Sequence, residues 1–81
     1  MTDTDVRSQV RQYLARHTNR TDLEDSLDVF KAGLVSSLFA MQLVVWVERT
    51  FARPVATEEL DITNFGTVDS IVAFVERGTP R

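Results

Sequence analysis

Apolar residues near the start of the chain recur with the spacing of one helix face. The pattern begins at Val6 and continues at steps of four, seven and eight residues, with Val10, Tyr13 and Leu14. Arginines lie between them, on the side that an amphipathic helix exposes to water. The spacing predicts a first helix from about Thr4 to Arg16.

A long connection follows this helix, because the periodic pattern does not resume until after Gly33. A loop of this length in so short a chain is usually functional or is packed down by its own side chains. We expect Leu23, Leu27 and Phe30 to hold it against the core.

Residues 37–51 contain no glycine or proline and are almost continuously apolar. At about 100° per residue they form two apolar sectors of one helix. The natural core sector contains Ala40, Leu43, Val44, Val47 and Phe51. The second sector, nearly opposite, contains Leu38, Met41 and Val45, with Phe39 and Trp46 between the two. A chain this short cannot surround a helix completely, so we expect the second sector to face a partner.

A proline predicts where this helix ends. The residue before a proline is disfavoured in a helix, so the dipeptide Arg53-Pro54 predicts a stop. Thr57, followed by two glutamates, is typical of a short helical turn, which we expect to run towards Phe65.

Gly66-Thr67 combines a stop with a cap, and the last helix is predicted from Val68 to about Arg77. We therefore predict one all-α domain over residues 1–81. It is a small four-helix bundle of three main helices and one short helix, with a long loop between helices one and two.

The charge of the chain argues against nucleic-acid binding. The formal net charge is −3, from 12 acidic and nine basic residues. The first 20 residues account for two of those acids and four of the bases, which leaves ten acids against five bases in the remainder. Nucleic-acid phosphates attract clustered Lys and Arg, which this acidic body lacks.

Missing residue types exclude several other kinds of site. With no cysteine, neither disulfides nor thiolate metal sites can form. His17 has no second histidine with which to share a metal, and three glycines cannot build a phosphate loop or a nucleophile elbow. The chain start is unlike a signal peptide, and no apolar run approaches the roughly 18 residues of a membrane span. We expect a cytoplasmic monomer without catalytic activity, metal or membrane contact.

The remaining candidate chemistry lies where the long loop enters the apolar second helix. Serine is a favoured helix N-cap, and Ser36 alone would satisfy that need. Ser37 then lies in the first turn, where unpaired backbone N–H groups and the positive end of the helix dipole favour a phosphate.

This junction resembles the signature of acyl and peptidyl carrier proteins. The matching residues are Phe30, Gly33-Leu34-Val35-Ser36-Ser37-Leu38, Leu43-Val44, Glu48 and Phe51, and helix order and chain length match as well. In that family an Asp-Ser-Leu triplet opens the second helix, and its serine receives 4'-phosphopantetheine from coenzyme A. The resemblance implies that Ser37 is the attachment serine and that the arm carries an acyl group as a thioester.

The resemblance also implies partners and the surface that meets them. Such carriers bind a phosphopantetheinyl transferase and acyl-loading and acyl-modifying enzymes. The implied partner surface is formed by Ser36, Leu38, Phe39, Met41, Gln42 and Val45. The family aspartate is replaced by Ser36, and Phe39 and Gln42 occupy positions where acids are common. We therefore expect partner choice to depend more on apolar contact than on charge.

Residues 35–44 and 60–65 are similar to a narrower group within the family. These are discrete carriers of hydroxymalonyl or methoxymalonyl extender units in polyketide and antibiotic biosynthesis. This resemblance implies a glyceryl-derived cargo and a polyketide synthase acyltransferase as partner. Two alternatives stay open: an aminoacyl, D-alanyl or conventional chain carrier, and an unmodified helical docking module that binds through Leu38, Met41, Val45 and Trp46.

Overall fold

The computed structural model describes residues 2–78, apart from the side chain of Ile62. Its helices are α1 (Asp3–Thr18), α2 (Ser37–Phe51), α3 (Ile62–Phe65) and α4 (Val68–Gly78), with one 3-10 turn at Thr57–Glu59. No strand occurs in the part of the chain that is described. The predicted all-α class, with three main helices, one short helix and a long loop after α1, is confirmed.

α1 extends slightly beyond the predicted boundaries because both of its ends are capped. Thr2 precedes it, and the Thr2 hydroxyl accepts a hydrogen bond from the N–H of Asp5 at 3.2 Å. Asn19 follows it with a left-handed backbone (φ 58°) and donates its N–H to the Ala15 carbonyl. Asparagine tolerates this conformation better than most residues, so the helix ends there.

The core lies where α1 packs along α4, with α3 against α4 and α2. Its fully or almost fully buried side chains include Val6, Val10, Leu14, Leu43, Val47, Phe65, Val68, Ile71, Val72, Phe74 and Val75. Burying each large apolar side chain contributes roughly 1.5–3 kcal/mol before the entropy cost of ordering it. This packing holds α2 by one face and leaves its other face outside.

The loop between α1 and α2 is anchored by a residue that periodicity did not indicate. Val29 is 1% exposed, whereas Leu23, Leu27 and Phe30 are each half-buried. The Val29 N–H donates to the Gly66 carbonyl at 2.9 Å, which ties the loop to the segment between α3 and α4. Periodicity describes regular elements only, so it could not single out Val29 within the loop.

Gly66 is required at this contact because the loop approaches it closely. An added Cβ at Gly66 would lie 2.7 Å from Oδ2 of Asp28. Asp28 cannot easily move, since its Oδ1 accepts hydrogen bonds from the N–H groups of Phe30 (3.0 Å) and Lys31 (2.9 Å). The loop conformation and the glycine therefore depend on each other.

The connection after α2 differs from the prediction in two places. α2 ends at Phe51, two residues before Arg53, because Ala52 takes a left-handed conformation (φ 50°). The short helix expected from Thr57 towards Phe65 is divided into the 3-10 turn and α3. The division occurs because Asp61 caps a new start: its carboxylate accepts from the Thr63 N–H at 2.9 Å.

Arg53 joins this connection to α4. Its guanidinium donates to both carboxylate oxygens of Glu59, at 3.2 and 3.0 Å, and lies 3.9 Å from the centre of the Phe74 ring. The Arg53 side chain is only 11% exposed. The hydrogen bonds from Arg53, followed by the one from the Ala56 N–H, lower the pKa of Glu59.

Candidate functional site

Ser37 lies where the sequence predicted it, at the first position of α2, and its side chain is exposed. Ser36 occupies the N-cap position with an extended backbone (φ −93°, ψ 167°). Its hydroxyl makes no capping hydrogen bond, so that part of the prediction is wrong. The Ser36 carbonyl instead accepts from the Phe39 N–H at 3.0 Å, which closes the first turn through the backbone.

The first turn of α2 offers donors to an anion. Within residues 2–78, no acceptor is recorded for the N–H groups of Ser37 and Leu38, and no hydrogen bond occupies the Ser37 hydroxyl. The first turn also contains no acidic residue. A phosphate on the Ser37 oxygen would meet free N–H groups and the positive end of the helix dipole, so the residues present fit a phosphodiester.

An exposed apolar stripe begins beside Ser37. Leu38, Met41 and Val45 are 71%, 61% and 42% exposed and follow one face of α2. We call these three residues the α2 stripe. The prediction that this sector is uncovered is confirmed, and its binding of a partner stays a prediction. Ser36 and Gln42, also assigned to the partner surface, are exposed as well.

Phe39 does not belong to this surface, and its assignment as a partner-binding residue is wrong. Its side chain is 8% exposed. Its ring centre lies 5.8 Å from that of Tyr13, 5.0 Å from that of His17 and 6.5 Å from that of Phe30. Phe39 is two residues after Ser37, a rotation of about 200° on the helix, so it points to the side that α1 and the loop cover.

Trp46 is also held by the fold. Its ring stacks on Tyr13 with 4.2 Å between ring centres and meets Phe51 edge-on at 5.4 Å. It is half-buried, so it is a weaker candidate for docking than the α2 stripe. Burial against these rings raises the pKa of Tyr13. The spacing of Tyr13 predicts the core face of α1, but its stacking on Trp46 leaves no signal in the periodicity.

The surface around Ser37 carries no charge along most of α2. The first charged residue of α2 is Glu48, whose carboxylate accepts a hydrogen bond from the Val55 N–H at 3.0 Å. Glu48 therefore has an internal role at the end of α2. An enzyme that covered Ser37 and the α2 stripe would meet hydroxyl, amide and apolar groups.

The resemblance to carrier proteins rests on three features: a long loop, an apolar helix that follows it and an exposed serine at the start of that helix. The chain is similar to a D-alanyl carrier protein. That protein, from Lacticaseibacillus casei (strain BL23), is 29% identical over 79 residues, which cover 95% of this chain and 98% of the relative. No protein-family model matches the chain.

The similarity supports the predicted resemblance to carrier proteins over nearly the whole chain. The similarity supports an aminoacyl or D-alanyl carrier better than a carrier of the hydroxymalonyl and methoxymalonyl group. The similar protein does not belong to that narrower group.

Two further findings concern the described residues alone. Among residues 2–78, no three His, Cys, Asp or Glu side chains are grouped so that they could hold a metal ion. None of the helices in that range has both the length and the apolar character needed to cross a bilayer.

Proposed function

We propose that this protein is an acyl carrier that holds its cargo as a thioester on 4'-phosphopantetheine attached to Ser37. The observation that carries the proposal is the exposed, unoccupied hydroxyl of Ser37 at the start of α2, directly beside the α2 stripe. The similarity to a carrier protein along nearly the whole chain supports it.

Ser37 contributes the oxygen that becomes part of the phosphodiester. The N–H groups of Ser37 and Leu38 and the dipole of α2 stabilise the phosphate charge. No hydrogen bond within residues 2–78 activates the Ser37 hydroxyl, so removal of its proton is the task of the modifying enzyme. The arm supplies the thiol that carries the acyl group. The protein contributes attachment, orientation and recognition rather than catalysis.

The α2 stripe is the proposed contact for the phosphopantetheinyl transferase and for the enzymes that load and use the cargo. An enzyme that reaches the Ser37 oxygen must also cover Leu38, the next residue. Met41 and Val45 extend the contact along the helix, with Gln42 and Ser36 at its sides. Tethering raises the effective concentration of the cargo at each docked enzyme.

D-alanyl or another aminoacyl group is the first candidate cargo, because the similar protein is named a D-alanyl carrier. A glyceryl-derived extender unit, with a polyketide synthase acyltransferase as partner, is the second candidate and rests on residues 35–44 and 60–65. The intact mass of protein isolated from its native source, before and after thioester cleavage by hydroxylamine, would identify the cargo.

Attachment at Ser37 is tested by incubating the purified protein with coenzyme A and a broad-specificity phosphopantetheinyl transferase. We expect the intact mass of the wild type and of Ser36→Ala to increase by one phosphopantetheine, and that of Ser37→Ala to stay unchanged. Ser36→Ala is a matched control, since its hydroxyl is exposed at the adjacent position. An increase that depends on Ser36 would contradict the assignment, and no increase in any protein would favour an unmodified docking module.

A further inference from the structure

Arg7 on α1 binds carboxylates from three parts of the chain. Its guanidinium lies 3.2 Å from Asp3 on α1, 2.8 Å from Asp25 in the loop and 2.6 Å from Asp69 in the first turn of α4. Nε of Arg11, one helical turn further along α1, lies 2.8 Å from Oδ1 of Asp25. We call Arg7, Arg11, Asp25 and Asp69 the Arg7 cluster.

The centre of the Arg7 cluster is partly shielded from water. The side chains of Arg7 and Asp25 are 28% and 24% exposed, about half the exposure of Arg11 (57%) and Asp69 (54%). Oδ1 of Asp25 is buried, and Arg11 reaches it at ion-pair distance without the geometry of a hydrogen bond. Salt screens partly shielded pairs less than exposed ones, but Arg11 and Asp69 are more than half exposed, so added salt weakens the cluster as a whole.

Residues 25–34, which begin with Asp25, form backbone hydrogen bonds among themselves. We call this part of the loop segment 25–34. The Ala32 N–H donates to the Asp28 carbonyl at 2.9 Å, and the Leu34 N–H donates to the Val29 carbonyl at 3.0 Å. Because these bonds stay within the segment, they do not hold it to the helices.

Two backbone hydrogen bonds join segment 25–34 to the region where α3 ends and α4 begins: Asp69 N–H to the Asp25 carbonyl (3.0 Å) and Val29 N–H to the Gly66 carbonyl (2.9 Å). A third, from the Leu27 N–H to the Glu24 carbonyl (3.1 Å), stays within the loop. Val29 is the segment's only fully buried residue, and Phe30 packs partly buried against the core. Regions with few buried apolar contacts open locally without global unfolding.

We infer that segment 25–34 opens and closes as one unit and that the Arg7 cluster is an ionic latch that holds it closed. Ionic strength then controls how often it opens. The segment ends two residues before Ser36, so opening also frees the chain that leads into Ser37. The inference is independent of the proposed modification of Ser37, because it is tested on the unmodified protein.

The test is amide hydrogen exchange, followed by NMR, at the two N–H groups that join the segment to the helices, those of Val29 and Asp69. Raising NaCl from about 50 mM to about 1 M shortens the screening length and should speed their exchange roughly three- to tenfold. The N–H of Val72, inside α4, should change much less. Arg7→Gln should show fast exchange at Val29 and Asp69 at low salt, with little further effect of added salt.

Arg16→Gln is the matched control, because Arg16 is an exposed arginine of α1 with no ion pair within the described residues. It should behave as the wild type, and Arg7→Lys should restore part of the protection. If Val29, Asp69 and Val72 exchange at one common rate, or if salt acts equally on Arg7→Gln and the wild type, the latch is wrong. If Arg7→Gln does not fold, Arg11→Gln replaces it. At low salt, exchange at Val29 and Asp69 must then be faster in Arg11→Gln than in the wild type, by less than is expected for Arg7→Gln. Unchanged exchange in Arg11→Gln overturns the inference.

Discussion

Two residues at the start of α2 have opposite surroundings. Ser37 is exposed, whereas the Phe39 ring lies among the rings of Tyr13, His17 and Phe30. The helix turns by about 200° between them, so an arm attached to Ser37 would leave the molecule on the side away from these rings. Phe39 thus contributes to stability and would fix the direction of such an arm indirectly.

The burial of Phe39 leads to a prediction about stability. We expect Phe39→Leu to lower the free energy of unfolding by about 1–2 kcal/mol, since it removes ring contacts from a packed site. Met41→Leu, at an exposed position two residues later, should change it by less than about 0.5 kcal/mol. Urea unfolding of both variants measures this. If Phe39→Leu left stability unchanged and instead impaired modification of Ser37, Phe39 would be a docking residue after all.

At the scale of the element, α2 has one face in the core and one in solvent. Leu43 and Val47 are fully buried, while the α2 stripe is exposed over two turns. The absence of charge along this exposed face sets the kind of contact it can make. Apolar docking responds little to salt, whereas charged docking weakens as salt screens it.

The α2 stripe should therefore determine how well the transferase binds. We expect Met41→Lys to raise the KM of the transferase for this protein about tenfold with little change in kcat, because a charge in an apolar contact opposes binding. Ala73→Lys, which adds the same charge at an exposed position of α4, should stay within about twofold. A steady-state assay at low and high salt measures both. Equal effects of the two variants, or a wild-type rate that falls steeply with salt, would contradict apolar docking.

At the scale of the whole molecule, two polar arrangements join elements that are distant in sequence. Arg7 connects α1, the long loop and α4, and Arg53 connects the end of α2 to Glu59 and α4. A Cβ added at Gly78 would meet the Arg53 guanidinium, so Arg53 also passes close to the last turn of α4. These contacts hold the loops, while apolar packing holds the helices.

The Arg53 contact predicts a pH dependence of stability. Because the pKa of Glu59 is lower in the folded protein than the ordinary value of 4.5, its ionisation stabilises the fold above that value. This stabilisation is lost as the pH falls through the folded pKa. Urea unfolding should show the wild type more stable than Glu59→Gln at about pH 7, with the difference shrinking towards about pH 3. Glu58→Gln, at the exposed neighbour, serves as the control, and a difference between wild type and Glu59→Gln that is constant with pH would exclude this linkage.

Much of the fold could be predicted from local signals. The periodicity of Val6, Val10 and Leu14 predicted α1, and Gly66-Thr67 predicted the start of α4, where the Thr67 hydroxyl accepts from the Ser70 N–H at 2.9 Å. Of the candidate site, Ser37 at the start of α2 and the exposure of the α2 stripe were predicted. Val29 was not singled out and Phe39 was assigned to the partner surface, because the burial of both depends on neighbours far away in sequence.

The sequence by itself determined where the main helices lie, which serine opens α2 and which apolar sector the core does not need. Helix spacing, caps and prolines act over a few residues, so these features follow from short stretches of chain. Only the tertiary structure decided that α1 and the loop cover Phe39, that Tyr13 stacks on Trp46 and that Arg7 joins Asp25 and Asp69. Such contacts form between residues that the chain brings together only once it is folded, and no local pattern records them.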